Sequence, residues 1–338
     1  MFLNRRISFK VIFEFAWRVQ LVAFLLSAAA YVAYHVFELK AIAIPFLPVA
    51  TIGTAVAFYV GFKNNSAYDR LWEARRIWGS ITNASRMWAA MVADLIASRQ
   101  EASIEVDDLK KTLLYKHLAW MNMLRLQLRR TPVFSEAEYV SSTQLKIIRK
   151  IHGEHKYDHH VEEVFLKFLS PGEQEEAKHK TNVAAHLLHQ QNTALIQCKN
   201  RGWLDEYEHS DMSKIILELY NQQGASERIK SFPFPRQYAN FSVVFVYIFI
   251  SLLPFAIIND LDRLSTNNVW LVIPFTMLIA WVFNVMEQVG DASENPFDNG
   301  INDIPMTAIC RNVEIEFREV LGEKNLPPKL QPVHGILM

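Results

Sequence analysis

The sequence predicts an all-α membrane protein with four transmembrane helices and a large helical polar domain. Three observations lead there. Four long windows are nearly free of charge, the stretch between the second and third is charged and helically periodic, and no strand-like alternation of useful length interrupts it. The 338 residues are 51% hydrophobic and 12% aromatic, enough to bury a sizeable core and still face lipid. Lys and Arg number 35 and Asp and Glu 35, so there is no basic surplus and no nucleic-acid partner is expected.

The first span is residues 21–37 (LVAFLLSAAAYVAYHVF), extendable back through Phe15 and Trp17. The second, 41–62 (AIAIPFLPVATIGTAVAFYVGF), holds no charge; at about 1.5 Å per residue it crosses a hydrocarbon core of roughly 30 Å. The third is 241–258 and the fourth 268–286.

Flanking charge sets the expected orientation. Arg5, Arg6, Lys10 and Arg18 precede span one, Lys63, Arg70, Arg75 and Arg76 follow span two, and Lys230 and Arg236 precede span three. The short connectors HVFELK and NDLDRLSTNN carry little positive charge, so both termini and the long middle are expected in the cytoplasm, with the protein integral to the cell (inner) membrane. The first apolar stretch is long and lacks a small-residue cleavage pattern, as an uncleaved anchor would. The chain thus divides into four regions: 1–62 with two spans, a cytosolic 63–240, the span pair 241–286, and a cytosolic 287–338. Cys198 and Cys310, the only two cysteines, lie far apart with no C-x-x-C, which fits a cytosolic polar bulk rather than a disulfide framework.

Within the middle, residues 105–130 bring Leu109, Leu113, Leu114, His117, Trp120 and Leu124 near one helix face. The stretches 136–151, 173–199 and 210–229 repeat the pattern, with breaks at Pro132, Pro171-Gly172 and Gly224 and an irregular tail after 326.

No Walker loop, G-x-G-x-x-G, G-x-S-x-G or H-E-x-x-H occurs, so no enzyme activity and no cofactor are expected. The strongest enzyme candidate is HGEHKYDHH, where His152, His155, Asp158, His159 and His160 offer transition-metal ligands. Their spacing lacks a helical i, i+4 pair with a third ligand, and Gly153 and the charges around it read as a solvated loop. His186 and His189, three apart on a helix with Leu187 and Leu188, read as core histidines.

Span two carries two stripes. Gly53, Ala57 and Gly61 at spacing four let helix backbones approach closely. Thr54, Phe58 and Phe62 repeat that spacing about 100° around the helix. In a symmetric oligomer the second stripe makes stacked rings that can dewet and gate ions; alternatively its phenylalanines face lipid or a neighbouring span.

The segment from Gly61 to Gly79, GFKNNSAYDRLWEARRIWG, is similar to the bestrophin signature N-N-x-x-Y-D-R-x-W-E-x-R-x-x-W-G, through Asn64, Asn65, Tyr68, Asp69, Arg70, Trp72, Glu73, Arg75, Trp78 and Gly79. SERIKSFPFPRQY (226–238), ENPFDNGINDIP (294–305) and AICRNVEIEFREVLG (308–322) resemble further family motifs, in the bacterial form. The resemblance covers nearly the whole chain. It implies a homopentameric ion channel with lipid, small monovalent ions and its own copies as partners, and one axial pore. The family's neck maps to Thr54, Phe58 and Phe62; Thr54 departs from the apolar residue usual there. Asn64 and Asn65 are expected to line the pore below the neck. A second constriction maps to Leu204. The charges from Asp69 to Arg76 have i, i+3 and i, i+4 pairing available; they are expected to knit the helix to its neighbours at the membrane exit, with direct ion coordination as the alternative.

Animal bestrophins hold calcium with consecutive acidic residues after N-P-F. Here Asp298, Asn299, Gly300, Ile301, Asn302 and Asp303 leave two carboxylates, so no tight calcium site is expected; Asp303 is expected instead to cap the following helix. The family label is chloride channel, but some bacterial-type members conduct cations. A cation-selective channel and a non-conducting scaffold stay open as alternatives.

Overall fold

The computed structural model describes residues 1, 3, 9–97, 104–130, 161–232, 234–333 and 335–338. The histidine cluster and the expected helix at 136–151 lie outside them. Among the described residues there are ten α-helices and no strands. They are α1 Phe9–Tyr31, α2 Phe46–Asp94, α3 Ile104–Arg129, α4 Val161–Phe168, α5 Pro171–Lys178, α6 Val183–Asn200, α7 Glu206–Ser231, α8 Arg236–Leu264, α9 Val272–Asp291 and α10 Met306–Val320.

Four helical segments are long and apolar enough to cross a membrane: Ala16–Val36, Lys40–Asp94, Arg236–Leu264 and Thr266–Asp291. The chain is thus an integral membrane protein. The first span ends in a π-helical turn, Val32–Val36, and the fourth begins in a 3-10 segment, Thr266–Leu271. Within span two the α-helix itself begins only at Phe46, because Pro45, in an extended conformation, precedes α2 and has no N–H to extend the ladder backwards. Pro254 is accommodated inside α8, where the bundle around it is packed.

In the membrane bundle α1 lies along α8 and α9, and α2 packs on both of the latter. Val49, Val56 and Val60 of α2 meet Val246, Phe249 and Leu253 of α8 in a small apolar core. Outward residues such as Leu25, Ile248 and Leu278 stay exposed, as helices apolar all round do in lipid.

The largest departure from expectation is the length of α2. Its apolar run ends at Phe62, yet the helix continues unbroken for another 32 residues, from Lys63 to Asp94. Apolar residues on one face, Ala74, Trp78, Ile81 and Trp88, carry it into a second core with α3, α6, α7 and α10. The expected boundary between 62 and 63 therefore falls inside one rod that both cores share. Smaller shifts occur elsewhere. The stretch 173–199 is two helices, α5 and α6, the first begun by a Ser170 capping box with Pro171 at its start. Gly224 is no break but sits inside α7, since one interior glycine costs only about 1 kcal/mol against a packed helix. Beyond 326 the chain is irregular apart from a Val333–Ile336 bridge.

Candidate functional site

The site is built on α2. Its inward face runs Val49, Gly53, Val56, Val60, Lys63 and Ala67 at steps of four and three, all buried. On the opposite face Thr54, Phe58, Phe62, Asn65 and Asp69 are exposed, the two phenylalanines by 66% and 62%. At 100° per residue these five share one stripe, set by the same 3.6-residue period that buries the other side. Large apolar rings held in the open along one helix are an unpartnered surface in a single chain.

Two glycine contacts set the azimuth of the helix. A Cβ on Gly53 would stand 2.5 Å from the Phe249 ring, so only glycine admits α8 this close. A Cβ on Gly290 of α9 would collide with Asn64 Oδ1. Gly61, expected in the close-packing stripe, meets nothing within 4 Å, and Ala57 is half-buried; of the two glycines only Gly53 makes a close helix contact in the chain. Their spacing of four drifts 40° per step, so the stripe leaves the packed face within two turns.

Beside Gly290 lies the feature that the sequence did not reveal. The Lys63 side chain is only 1% exposed, and its ammonium donates to Glu287 and, at 2.6 Å, to Asp291 Oδ1. Ser242 donates to the second Glu287 oxygen. Asn64 Nδ2 donates to the Met286 carbonyl at 2.8 Å. Asn64 is therefore turned into the bundle and does not accompany Asn65 on the exposed stripe: the two are 100° apart, and only one can face out. A count of flanking charges reads Lys63 as a positive-inside residue. The signal for its burial is a Glu287, Asp291 pair, four residues apart, closing the fourth apolar run.

The signature residues divide by partner. Arg70 donates to the Ile229 carbonyl and Glu73 accepts from Arg228 Nη2 at 2.9 Å, both tying α2 to α7. Tyr68 stacks on Trp72 with centroids 6.4 Å apart, and the Arg75 guanidinium lies 5.8 Å from the Trp72 centroid. These ties to a neighbouring helix are the expected ones; the i, i+3 and i, i+4 ion pairs available within α2 are absent among the described residues, because inter-helix partners take Arg70 and Glu73.

Several expected roles are corrected. Leu204 is 3% exposed, a core residue under the turn before α7 rather than a projecting one. The α7 N-cap is Asp205, which fixes the turn and directs Leu204 inward. Asp303 does not cap α10, whose first flanking residue is Pro305; its carboxylate accepts from the Gly300 N–H at 2.8 Å inside the 300–303 turn. Burial pushes the Asp303 carboxyl up to about 7. Asp298 pairs with Lys230. Among the described residues no three His, Cys, Asp or Glu gather to hold a metal. His189 is exposed and His186, at a side-chain exposure of 11%, lies 3.2 Å from Glu176, so neither is a core histidine. His117 is: it lies between Ser85 Oγ at 2.9 Å and Gln191 Oε1 at 3.1 Å, and burial pushes its imidazole down to about 3. Cys198 and Cys310 are buried free thiols, both pushed up to about 11 by burial.

The sequence profile of bacterial and fungal bestrophin proteins matches residues 3–319. The voltage-dependent anion channel-forming protein mll4386 of Mesorhizobium japonicum is 27% identical over 88% of this chain and 81% of its own. The voltage-dependent anion channel-forming protein YneE of Escherichia coli K12 is 25% identical over 84% and 80%. A crystal structure of a bacterial bestrophin homolog from Klebsiella pneumoniae superposes with a TM-score of 0.73 and 22% identity, covering 91% of this chain and 99% of that one. With the profile spanning nearly the whole sequence and the four-helix bundle and shared rod in place, the chain belongs to the bacterial/fungal bestrophin family.

Proposed function

We propose that the chain is one subunit of a homopentameric channel for small monovalent ions, anions foremost, and not an enzyme. Five copies of α2 surround an axial pore, and Thr54, Phe58 and Phe62 form its neck. The observation that carries this reading is the exposed stripe itself: two phenylalanines project away from the bundle while Lys63, one residue on, is buried in it. The relatives' names as voltage-dependent anion channel-forming proteins support anion conduction. Rings of Phe58 and Phe62 around an axis exclude water unless the gap widens, which makes an apolar gate; Thr54 supplies a wetter first ring. Phenylalanine presents its positive ring edge to an anion. Asn65, exposed just below, offers an amide that solvates either sign of ion. Both termini and the polar domain lie on the cytoplasmic side in this reading, supported by the basic flanks.

The test is single-channel recording from purified protein in a planar bilayer under opposed sodium chloride gradients. The expected reversal lies near the chloride potential, and Phe58→Ala is expected to raise unitary conductance or open probability several-fold by wetting the neck. A reversal near the sodium potential would assign a cation channel; silence from both proteins would assign a scaffold. An unchanged Phe58→Ala current would remove the stripe from the pore.

A further inference from the structure

Six charged residues come after the neck on α2 within four turns, and the structure sorts them by partner. Lys63 is neutralised by Glu287 and Asp291, Arg70 is spent on the Ile229 carbonyl, Glu73 on Arg228, and Arg75 lies against the Trp72 ring. Asp69 and Arg76 are exposed, and among the described residues neither has a partner in the chain.

These two are also in register with the neck. Phe62, Asp69 and Arg76 are each seven residues apart, which on a helix returns to within 20° of the same direction and advances about 10 Å. In the register above Phe62, Ala55 is exposed, and below Arg76 so is Asn83. The face that carries the apolar stripe therefore carries, one and two heptads deeper, a free carboxylate and then a free guanidinium. The nearer lysine, which would otherwise present the first charge below the neck, is removed from this face by the bundle.

Resting on the channel reading, we propose that Asp69 and Arg76 are the specificity-determining charges of the conduction path, an acidic ring below the neck and a basic ring one heptad further in. Their separation is about one Debye length at 0.1 M salt, so each ring sets the local ion population and neither cancels the other. Five guanidinium groups at Arg76 concentrate anions at the inner mouth; five carboxylates at Asp69 raise the anion barrier and lower that for cations. The permeability ratio is the balance of the two, which neither ring-edge geometry at the neck nor the neutral overall charge determines.

Reversal potentials of the full-length protein under opposed sodium chloride gradients test this, with Asp69→Asn, Arg76→Gln and Arg76→Lys beside Phe58→Ala. Asp69→Asn is expected to move the reversal toward the chloride potential and Arg76→Gln toward the sodium potential, while Arg76→Lys stays with the parent. If neither neutralisation moves the reversal while Phe58→Ala still changes conductance, the channel reading stands and the charge assignment is overturned. If parent and Phe58→Ala are both silent, the channel reading falls and takes the assignment with it. Both neutralised variants, Asp69→Asn and Arg76→Gln, are expected to elute as the parent oligomer; dissociation of either would overturn the proposal by making the pair a clamp between subunits.

Discussion

Lys63 is a lysine whose whole side chain is removed from solvent, and such a charge is tolerated only when it is paired. Glu287 and Asp291 supply the counter-charges and Ser242 a further hydrogen bond. Lys63→Met removes the cation and leaves Glu287 buried and unpaired, so a loss of about 3 kcal/mol is expected, read as a lower melting temperature in detergent. The companion variant Lys63→Met with Glu287→Gln is expected to recover part of it, since no buried charge is then stranded beside Asn64 and Ser242. The position of Lys63 at the end of span two is legible in the sequence and its burial is not, because a flank count registers sign and position and not which way a side chain turns. The inward turn of Asn64 is hidden for the same reason.

At the level of the helix, hydropathy locates all four spans, since a charge-free run of that length has few places to go but lipid. It misses the continuity of α2 because the pattern changes its meaning at Phe62. Before that point apolar residues go all round the helix; after it they keep to one face, so two readings meet inside one element. The close approach of α2 and α8 is legible as a small-residue stripe, but only Gly53 is on the packed face. Gly53→Ala is expected to cost about 2 kcal/mol by overpacking against Phe249, measured as lost thermal stability, and Phe249→Leu on the same background to restore part of it. Leu204 is misplaced by motif matching because the turn before α7 is set by the Asp205 capping box, a local device that aims the preceding side chain into the core.

Across the whole molecule the polar domain and the membrane bundle share one covalent rod, and the 300–303 turn lies in the connector between α9 and α10. Asp303 sits in that turn with its carboxyl raised from 3.8 to about 7 by burial. Folding therefore favours its protonated form: between those two values the folded chain keeps a proton that the unfolded chain has released. Stability from this group is full at the acid end and is lost as pH rises through about 7. Relative to the parent, Asp303→Asn is expected to show a flatter fall of melting temperature from pH 4 to pH 7.5; parallel curves for the two proteins would count against the buried carboxyl as the source. The rod has one more consequence. At about 1.5 Å per residue its 49 residues extend about 70 Å, with Phe58 and Phe62 in its first third or so and Trp88 anchored near the far end. With no joint between, the proposed neck has a remote handle: a lean of about 3° at Trp88, about 40 Å along the rod from Phe62, is a stroke of about 2 Å, and whatever grips that end holds it.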